Sequence, residues 1–534
     1  MSWSWMMAGP NWYYAFTVVV IACGSIPKGY DEGGFAAASS LESFMSDFHL
    51  TGGRWSGGGT ASEMASRRAV VSSLGVLGAA LGAVVAIAVT DRIGRLRAWQ
   101  MFVALWMSGF FAATFSSGLV GLLLFARLWS GLGAGGLTVV APLYLAEVAP
   151  SRRRGMVVSI YMVVLLSFLM AGFFVNYAAL KTMTPSREQY RIVLAVPQIP
   201  VGLVLIGSLF LDDTPRWLAS KNRQPEALVV LGRLRRLSTA DPLLAAEFAE
   251  MQRQLEDKNQ VLADASTWTI VREVVTVPSY RRRFLLGLAM QTVAQWSGGN
   301  GITYYIPDIF RLAGVATKRH SLITAGSYGA TKLIFTVIFA WGLVDYFGRR
   351  RCLLAGLSLQ CAAHVYMAIY MSLWREAHIR PASNAAVASV FVYAVGWSIG
   401  LCTVQYLYGT EILPTRIRGV CYAVNMAVHW LFQFAVVAVT PTILSRLDVW
   451  GAYVFWAVVC AVGLVLLGLW APETKGVPIE SMADLFSGPW YMGWRADPRR
   501  FWSGADADAD APDCLRRVEP AEKSSSGGTS RMKG

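Results

Sequence analysis

Ala146–Gly155 reads AEVAPSRRRG, and Thr410–Gly419 reads TEILPTRIRG. A second pair agrees with the first: DRIGRLR over Asp91–Arg97 and DYFGRRR over Asp345–Arg351. The members of each pair stand about half of the 534-residue chain apart, and each basic cluster abuts a long apolar run. Similar short loops recurring at matching places in two apolar halves are the mark of an internally duplicated membrane protein.

The rest of the composition fits that reading. The chain is 55% hydrophobic and 15% charged, with a mean hydropathy of +0.45. A soluble protein carries about 25% charged residues. Apolar runs of roughly 20 residues recur, each able to cross about 30 Å of hydrocarbon as a helix. Twelve are expected, over 12–30, 69–90, 99–118, 120–144, 156–178, 192–211, 284–306, 322–344, 352–374, 385–408, 420–445 and 451–471. The short alternating segments of a membrane barrel are absent from the sequence. The fold class is therefore an all-α membrane protein: twelve transmembrane helices in two pseudo-symmetric six-helix bundles, the architecture of two-fold duplicated carriers.

The net charge of +14 does not point to nucleic acid. Arg92, Arg95, Arg97, Arg152 to Arg154 and Arg349 to Arg351 all fall in short loops on one side of the predicted topology. The loops near Ser116 and Gly314 on the other side carry little charge. This asymmetry places the basic loops and both termini in the cytoplasm, with the plasma membrane the expected location. Of the seven cysteines, all but Cys514 lie in or beside apolar spans, with no paired extracellular spacing. No disulfide framework is read from them. The first apolar run is too long for a cleavable signal and lacks a basic leader, so it reads as the first spanning helix.

Four regions follow. Residues 1–217 form the first six-helix half, and 218–283 form a polar, Arg-rich connector with the apolar spacing of short helices. Residues 284–486 form the second half, and 487–534, with GADADADAPD and SSSGGTS, read as a disordered cytoplasmic tail. The Gly-rich stretch 52–68, before the second span, reads as a flexible loop.

Seven motifs in order carry a family resemblance: GYD at Gly29–Asp31, PLYLAEVAPSRRRG at Pro142–Gly155, DTPRWL at Asp213–Leu218, SGGNGITYY at Ser297–Tyr305, DYFGRRR, TEILPTRIRG, and PETKGVPIESM at Pro472–Met482. Across nearly its whole length the chain resembles the sugar-porter family of the major facilitator superfamily. NYAALKTMTPS, the SGGN run, a lysine in the eighth span and the GVPIESM ending resemble its fungal quinate-permease branch in particular. The resemblance implies a transporter with alternating access and no cofactor. It also implies a cytoplasmic lock of Asp91, Arg92, Arg95, Glu147, Arg154, Asp345, Arg349, Arg350, Glu411, Arg418 and Glu473. Without the family, the same arginines can pair with helix C-termini and neighbouring acids, or simply set topology.

Asp31 falls near the end of the first helix and Arg127 within the fourth, where a charge at the helix centre costs about 2.5–3.5 kcal/mol on insertion scales. An acid and a base within one half can offset each other, and protonating the acid would release the base. The resemblance implies that Asp31 is the proton acceptor and Arg127 its partner; a static ion pair is the alternative. For cargo it implies Gln295, Asn300, Tyr304 and Trp430. Several positions depart from the hexose pattern: Met162 and Leu169 in the fifth span, Ala294 in the seventh, Tyr406 in the tenth, and His429 and Gln433 in the eleventh. Lys332, mid-span in the eighth helix, needs an anionic partner, which a carboxylated polyol such as quinate would supply.

The expected partners are a small sugar or polyol, a proton and the lipid bilayer, with no nucleic acid. The leading reading is a proton symporter for quinate or a monosaccharide. A facilitative monosaccharide uniporter and a transporter-like nutrient sensor are the alternatives. No nucleophile–base constellation or metal-ligand spacing suggests an enzyme or a metal site.

Overall fold

A chain in lipid must satisfy its backbone polar groups internally, so the long apolar runs fold as helices. The computed structural model describes residues 11–50, 61–150, 154–263, 267–315, 317–339, 342, 344–374, 379–475, 477, 482–486 and 488–495. Among the described residues, nine helices are long and apolar enough to cross a membrane. They are Arg67–Ile93, Val120–Val148, Gly155–Thr182 and Arg187–Phe210 in the first half, and Arg319–Ile338, Arg349–Trp374, Arg380–Tyr406, Arg416–Arg446 and Asp448–Trp470 in the second. In the order of the fold these are helices 2, 4, 5, 6 and 8 to 12.

The other three spans of the twelve-helix fold are broken or begin in charged sequence. Helix 3, Arg95–Thr114, begins inside its basic loop. Helix 1 is broken: Trp12–Ala22, a 3₁₀ turn at Cys23–Ser25, Ile26–Tyr30, a π-turn at Asp31–Phe35, and Ala36–Ala38. Helix 7 is broken as well, into Pro278–Trp296, Gly299–Tyr304 and Ile306–Leu312. Its first break falls at Gly298, whose φ of +94° is open to glycine and strained for other residues.

The helices overrun the apolar spans at both ends. The second reaches Ile93 rather than 90, and the ninth starts at Arg349 rather than 352, because arginines extend past the hydrocarbon while the backbone stays helical. The first runs on from the expected 30 to Ala38, so Asp31 lies within it rather than near its end. The Gly-rich stretch also differs from expectation. Residues 51–60 lie outside those described, but from Ala61 the chain is already helix 2, since ASEMASRR holds good helix formers and neither Gly nor Pro. The connector carries helices at Gln224–Arg235, Pro242–Ala263 and Thr267–Thr276. Of the expected tail, 496–534 lie outside the described residues, and Trp490–Arg495 form a 3₁₀ segment.

Polarity is arranged for lipid. Leu203, Ile206, Val458 and Val465 are more than half exposed, while Arg127, Lys332, Gln295 and His429 are almost fully buried. Helix 1 seats on helix 5 through Gly29 and Gly33, a small-xxx-small pair. A Cβ on either would overlap the backbone carbonyl of Leu165 or Leu169. Across the halves, helix 2 packs on helix 11 and helix 5 on helix 8.

The duplication is visible in how each half is closed on its basic face. In the first half the Asp213 carboxylate accepts the backbone N–H of Arg95 at 3.0 Å and of Leu96 at 3.3 Å, at the start of helix 3. In the second, Glu473 accepts the N–H of Arg349 at 2.9 Å and of Arg350 at 3.1 Å, at the start of helix 9. A helix N-terminus presents unpaired N–H groups and partial positive charge, so a carboxylate there closes the half on itself. Burial pushes the Asp213 carboxyl above its ordinary range, opposed by the N–H groups of Thr214, Arg95 and Leu96.

Candidate functional site

Asp31 sits in the π-turn of helix 1, and Arg127 projects from helix 4. Arg127 Nη1 donates to Asp31 Oδ1 at 2.5 Å, while its Nε donates to the Val71 carbonyl at 3.2 Å. Its guanidinium also lies 3.7 Å from the Phe35 ring centroid. The second carboxylate oxygen is engaged from the other half: Tyr304 Oη donates to Asp31 Oδ2 at 2.9 Å. One carboxylate thus joins an arginine of the first half to a tyrosine of the second.

Tyr304 belongs to a plug between the halves on the face away from the basic loops. Ala36, Val76, Ala79, Tyr304, Tyr305, Trp430 and Val437 are buried together there. Arg68 on helix 2 pairs with Asp308 on helix 7, and its guanidinium lies 5.3 Å from the Tyr305 ring. Sequence reasoning missed Arg68 and Asp308, because 61–68 reads as loop and because only the fold brings the two together.

Under the plug, Asp31, Arg127, Tyr304, Trp430, Lys28 and Glu32 line one cavity of about 20 Å³. Ligand pockets measure roughly 300–1,000 Å³, so in this conformation the site is contracted. A wider concavity of about 690 Å³ lies on the basic face between Tyr13 and the connector residues Arg233 and Arg236. It includes none of the expected cargo residues.

Three of the second half's expected cargo residues, Gln295, Asn300 and Tyr406, meet in one network around His429. Asn300 Nδ2 donates to Gln295 Oε1 at 3.0 Å, across the break at Gly298. Gln295 Nε2 lies 3.0 Å from His429 Nδ1 and 3.3 Å from its Nε2, while Nδ1 is 2.8 Å from Gln291 Oε1 and Nε2 is 3.4 Å from Tyr406 Oη. Lys332 stands behind this network. Its ammonium donates to Thr303 Oγ1 at 3.1 Å and lies 4.0 Å from the Trp397 ring centroid, with no salt bridge among the described residues. Met162 and Leu169 do not line the cavity. Met162 is half-buried in the core, and Leu169 is fully buried, its carbonyl against Gly33.

The expected lock residues are gathered within each half rather than across the halves. Arg95 is held by Glu147 (3.2 Å) and Asp91 (2.9 Å), and Glu147 also takes the hydroxyl of Thr214. In the second half Arg350 donates to the carbonyls of Ala471 at 2.9 Å and Gly468 at 2.6 Å, at the C-terminus of helix 12. Arg349 is tied to Glu473 through its backbone, and Arg418 donates to the Leu413 carbonyl. Arg92 is exposed and makes no hydrogen bond or ion pair among the described residues. The side chains of Arg154, Asp345 and Glu411 lie outside the described ones. Among the described residues, no hydrogen bond or ion pair joins the halves on the basic face; Arg68–Asp308 and Tyr304–Asp31 join them on the other.

Residues 17–486 match the family described as "Sugar (and other) transporter". The chain belongs to that family. A probable quinate permease of Aspergillus niger is 28% identical over 484 residues, covering 89% of this chain and 88% of its own. The quinate permease of Neurospora africana is 27% identical over 487 residues, covering 89% of each. Among solved structures, the proton:xylose symporter XylE bound to 6-bromo-6-deoxy-D-glucose superposes with a TM-score of 0.73 at 20% identity, covering 89% of this chain and 99% of that one. A partially occluded, inward-open XylE from E. coli gives 0.72 at 19% identity, covering 87% of this chain and 99% of that one. The fold is the major facilitator fold, and the chain is a multi-pass membrane transporter rather than an enzyme.

Proposed function

We propose that this transporter imports a sugar-like polyol or its acid, quinate or a monosaccharide, by proton symport with alternating access. The observation that carries the reading is the division of Asp31 between Arg127 in one half and Tyr304 in the other. The bonds of Asp31 tie its protonation to the contact between the halves. As a carboxylate it accepts from both partners and holds the plug. Protonated, it loses the ion pair and keeps only a weak bond to the tyrosine, so the halves part more easily. Trp430 lines the same cavity, which puts proton and cargo within reach of one another. The basic face is cytoplasmic by the positive-inside rule, so the plug faces outward at the plasma membrane, with both termini inside.

The relatives' names support a polyol acid as cargo, and the proton:xylose symporter among the solved structures supports the coupling. The test is uptake of labelled quinate and D-xylose into proteoliposomes with and without an inward proton gradient. Accumulation should require the gradient, and Asp31→Asn should abolish it while retaining detectable exchange. Uptake indifferent to the gradient refutes symport in favour of facilitated diffusion.

A further inference from the structure

Two charges in the cavity have no part in the proton pair. Lys28 and Glu32 stand one helical turn apart on helix 1, either side of Asp31, and both line the cavity. Glu32 is 5% exposed. It shares the cavity lining with Lys28 and with Gln433 of helix 11. The Lys28 ammonium lies 4.5 Å from the Trp430 ring centroid. No salt bridge joins Lys28 to Glu32 among the described residues.

Two polar atoms of the same lining are buried without a hydrogen-bond partner among the described residues: Trp430 Nε1 and Gln433 Oε1. Trp430 is 2% exposed and Gln433 1%. An unpaired buried donor or acceptor costs about 1–3 kcal/mol, so two in one cavity with a carboxylate are unfavourable unless something completes them.

We propose that Glu32 and Lys28 are cargo ligands contributed by helix 1, and that together they take a vicinal pair of hydroxyls. Each hydroxyl both donates and accepts. Two adjacent hydroxyls can donate to the Glu32 carboxylate and the Gln433 carbonyl oxygen while accepting from the Lys28 ammonium and the Trp430 N–H. A cargo without neighbouring hydroxyls leaves those groups unpaired. The fifth helix supplies no alternative at Met162 or Leu169, so hydroxyl recognition in the first half falls to helix 1. This inference rests on the reading of the site as a polyol carrier, and it adds which atoms of the first half read the cargo.

The test is equilibrium exchange of labelled quinate and D-xylose by the full chain in proteoliposomes at equal pH on both sides, which requires no proton coupling. Glu32→Gln should raise the half-saturation concentration about tenfold or more for whichever probe is exchanged, and Lys28→Gln several-fold. Unlabelled myo-inositol should compete against the wild type, whereas cyclohexanecarboxylate, which has a carboxylate but no hydroxyl, should not. If Glu32→Gln does not fold, Lys28→Gln and the two competitors decide. Wild-type half-saturation in both variants overturns the helix-1 ligands and leaves the polyol-carrier reading standing. Competition by cyclohexanecarboxylate as strong as by myo-inositol overturns hydroxyl recognition. Failure of the wild type to exchange either probe overturns the polyol reading, and this inference with it.

Discussion

Tyr304→Phe removes one hydroxyl and leaves the ring in the plug. The lost bond runs from Tyr304 Oη to a carboxylate oxygen at 2.9 Å, and the tyrosine is 4% exposed. A hydrogen bond to a charged group contributes about 1.5–3 kcal/mol net. The bond exists only while the halves are closed on the plug side, so its loss shifts the closed-to-open equilibrium by that amount. At 1.4 kcal/mol per tenfold, the open fraction rises by about ten- to a hundredfold. Asp31→Asn would hold the tyrosine by a neutral bond of about 0.5–1.5 kcal/mol, so it too should open more than the wild type. Adding Tyr304→Phe to Asp31→Asn should then change the opening less than Tyr304→Phe does alone. Spin labels at Leu119 and Arg319, exposed on the plug side of the two halves, would report it in a cysteine-free background. Expected is a longer-distance population in each single variant. Identical distance distributions in Tyr304→Phe and wild type would refute the latch.

Two further outcomes are expected on the basic face. Arg95 and Glu147 are both nearly buried, so Arg95→Met alone should leave an uncompensated acid and cost about 3–5 kcal/mol; Arg95→Met with Glu147→Met should recover most of that loss, as read by melting temperature in detergent. Arg416 grips Glu273 through two bonds of 2.8 Å, and this hydrogen bonding holds the Glu273 carboxyl below its ordinary value. A depressed carboxylate contributes stability above its unfolded pKa and loses it as pH falls through the folded one. Amide-exchange protection over Thr267–Thr276, taken relative to the intrinsic rate at each pH, should therefore fall in acid, Glu273→Gln should show the acid protection at neutral pH, and equal protection throughout would rule the pair out as the connector's anchor.

The frame was legible because it rests on patterns that survive without contacts: apolar run length, charge asymmetry and the repeated loops. Asp31 and Arg127 were legible for a related reason, since each is a charge in an apolar run and needs a partner. Lys28 and Glu32 carried the same signal, but the Pro27, Gly29, Gly33 and Gly34 around them read as the end of a helix. Only the π-turn shows that the helix continues and carries them into the cavity. For Lys332 the sequence supplied the need for a partner but not its identity: an aromatic face and a hydroxyl meet it, and both lie on other helices. The lock was legible as a set of residues and not as a set of bonds. Which helix start receives Asp213 or Glu473 is decided by chain return over more than a hundred residues, beyond any local spacing.

The two carboxylates at the helix starts bear on speed as well as shape. A carrier must part and rejoin its halves at every turnover, and any bond between them adds to the barrier. Bonds inside a half are made once, during folding. With Asp213 and Glu473 spent within their own halves, strong polar bonding on the basic face stiffens the moving bodies without resisting the movement. Among the described residues, what must break in each cycle on the plug side is one ion pair and one tyrosine bond, together with the apolar contacts around them. Adding a bond between the halves on the basic face would therefore slow this protein even as it raised its melting temperature.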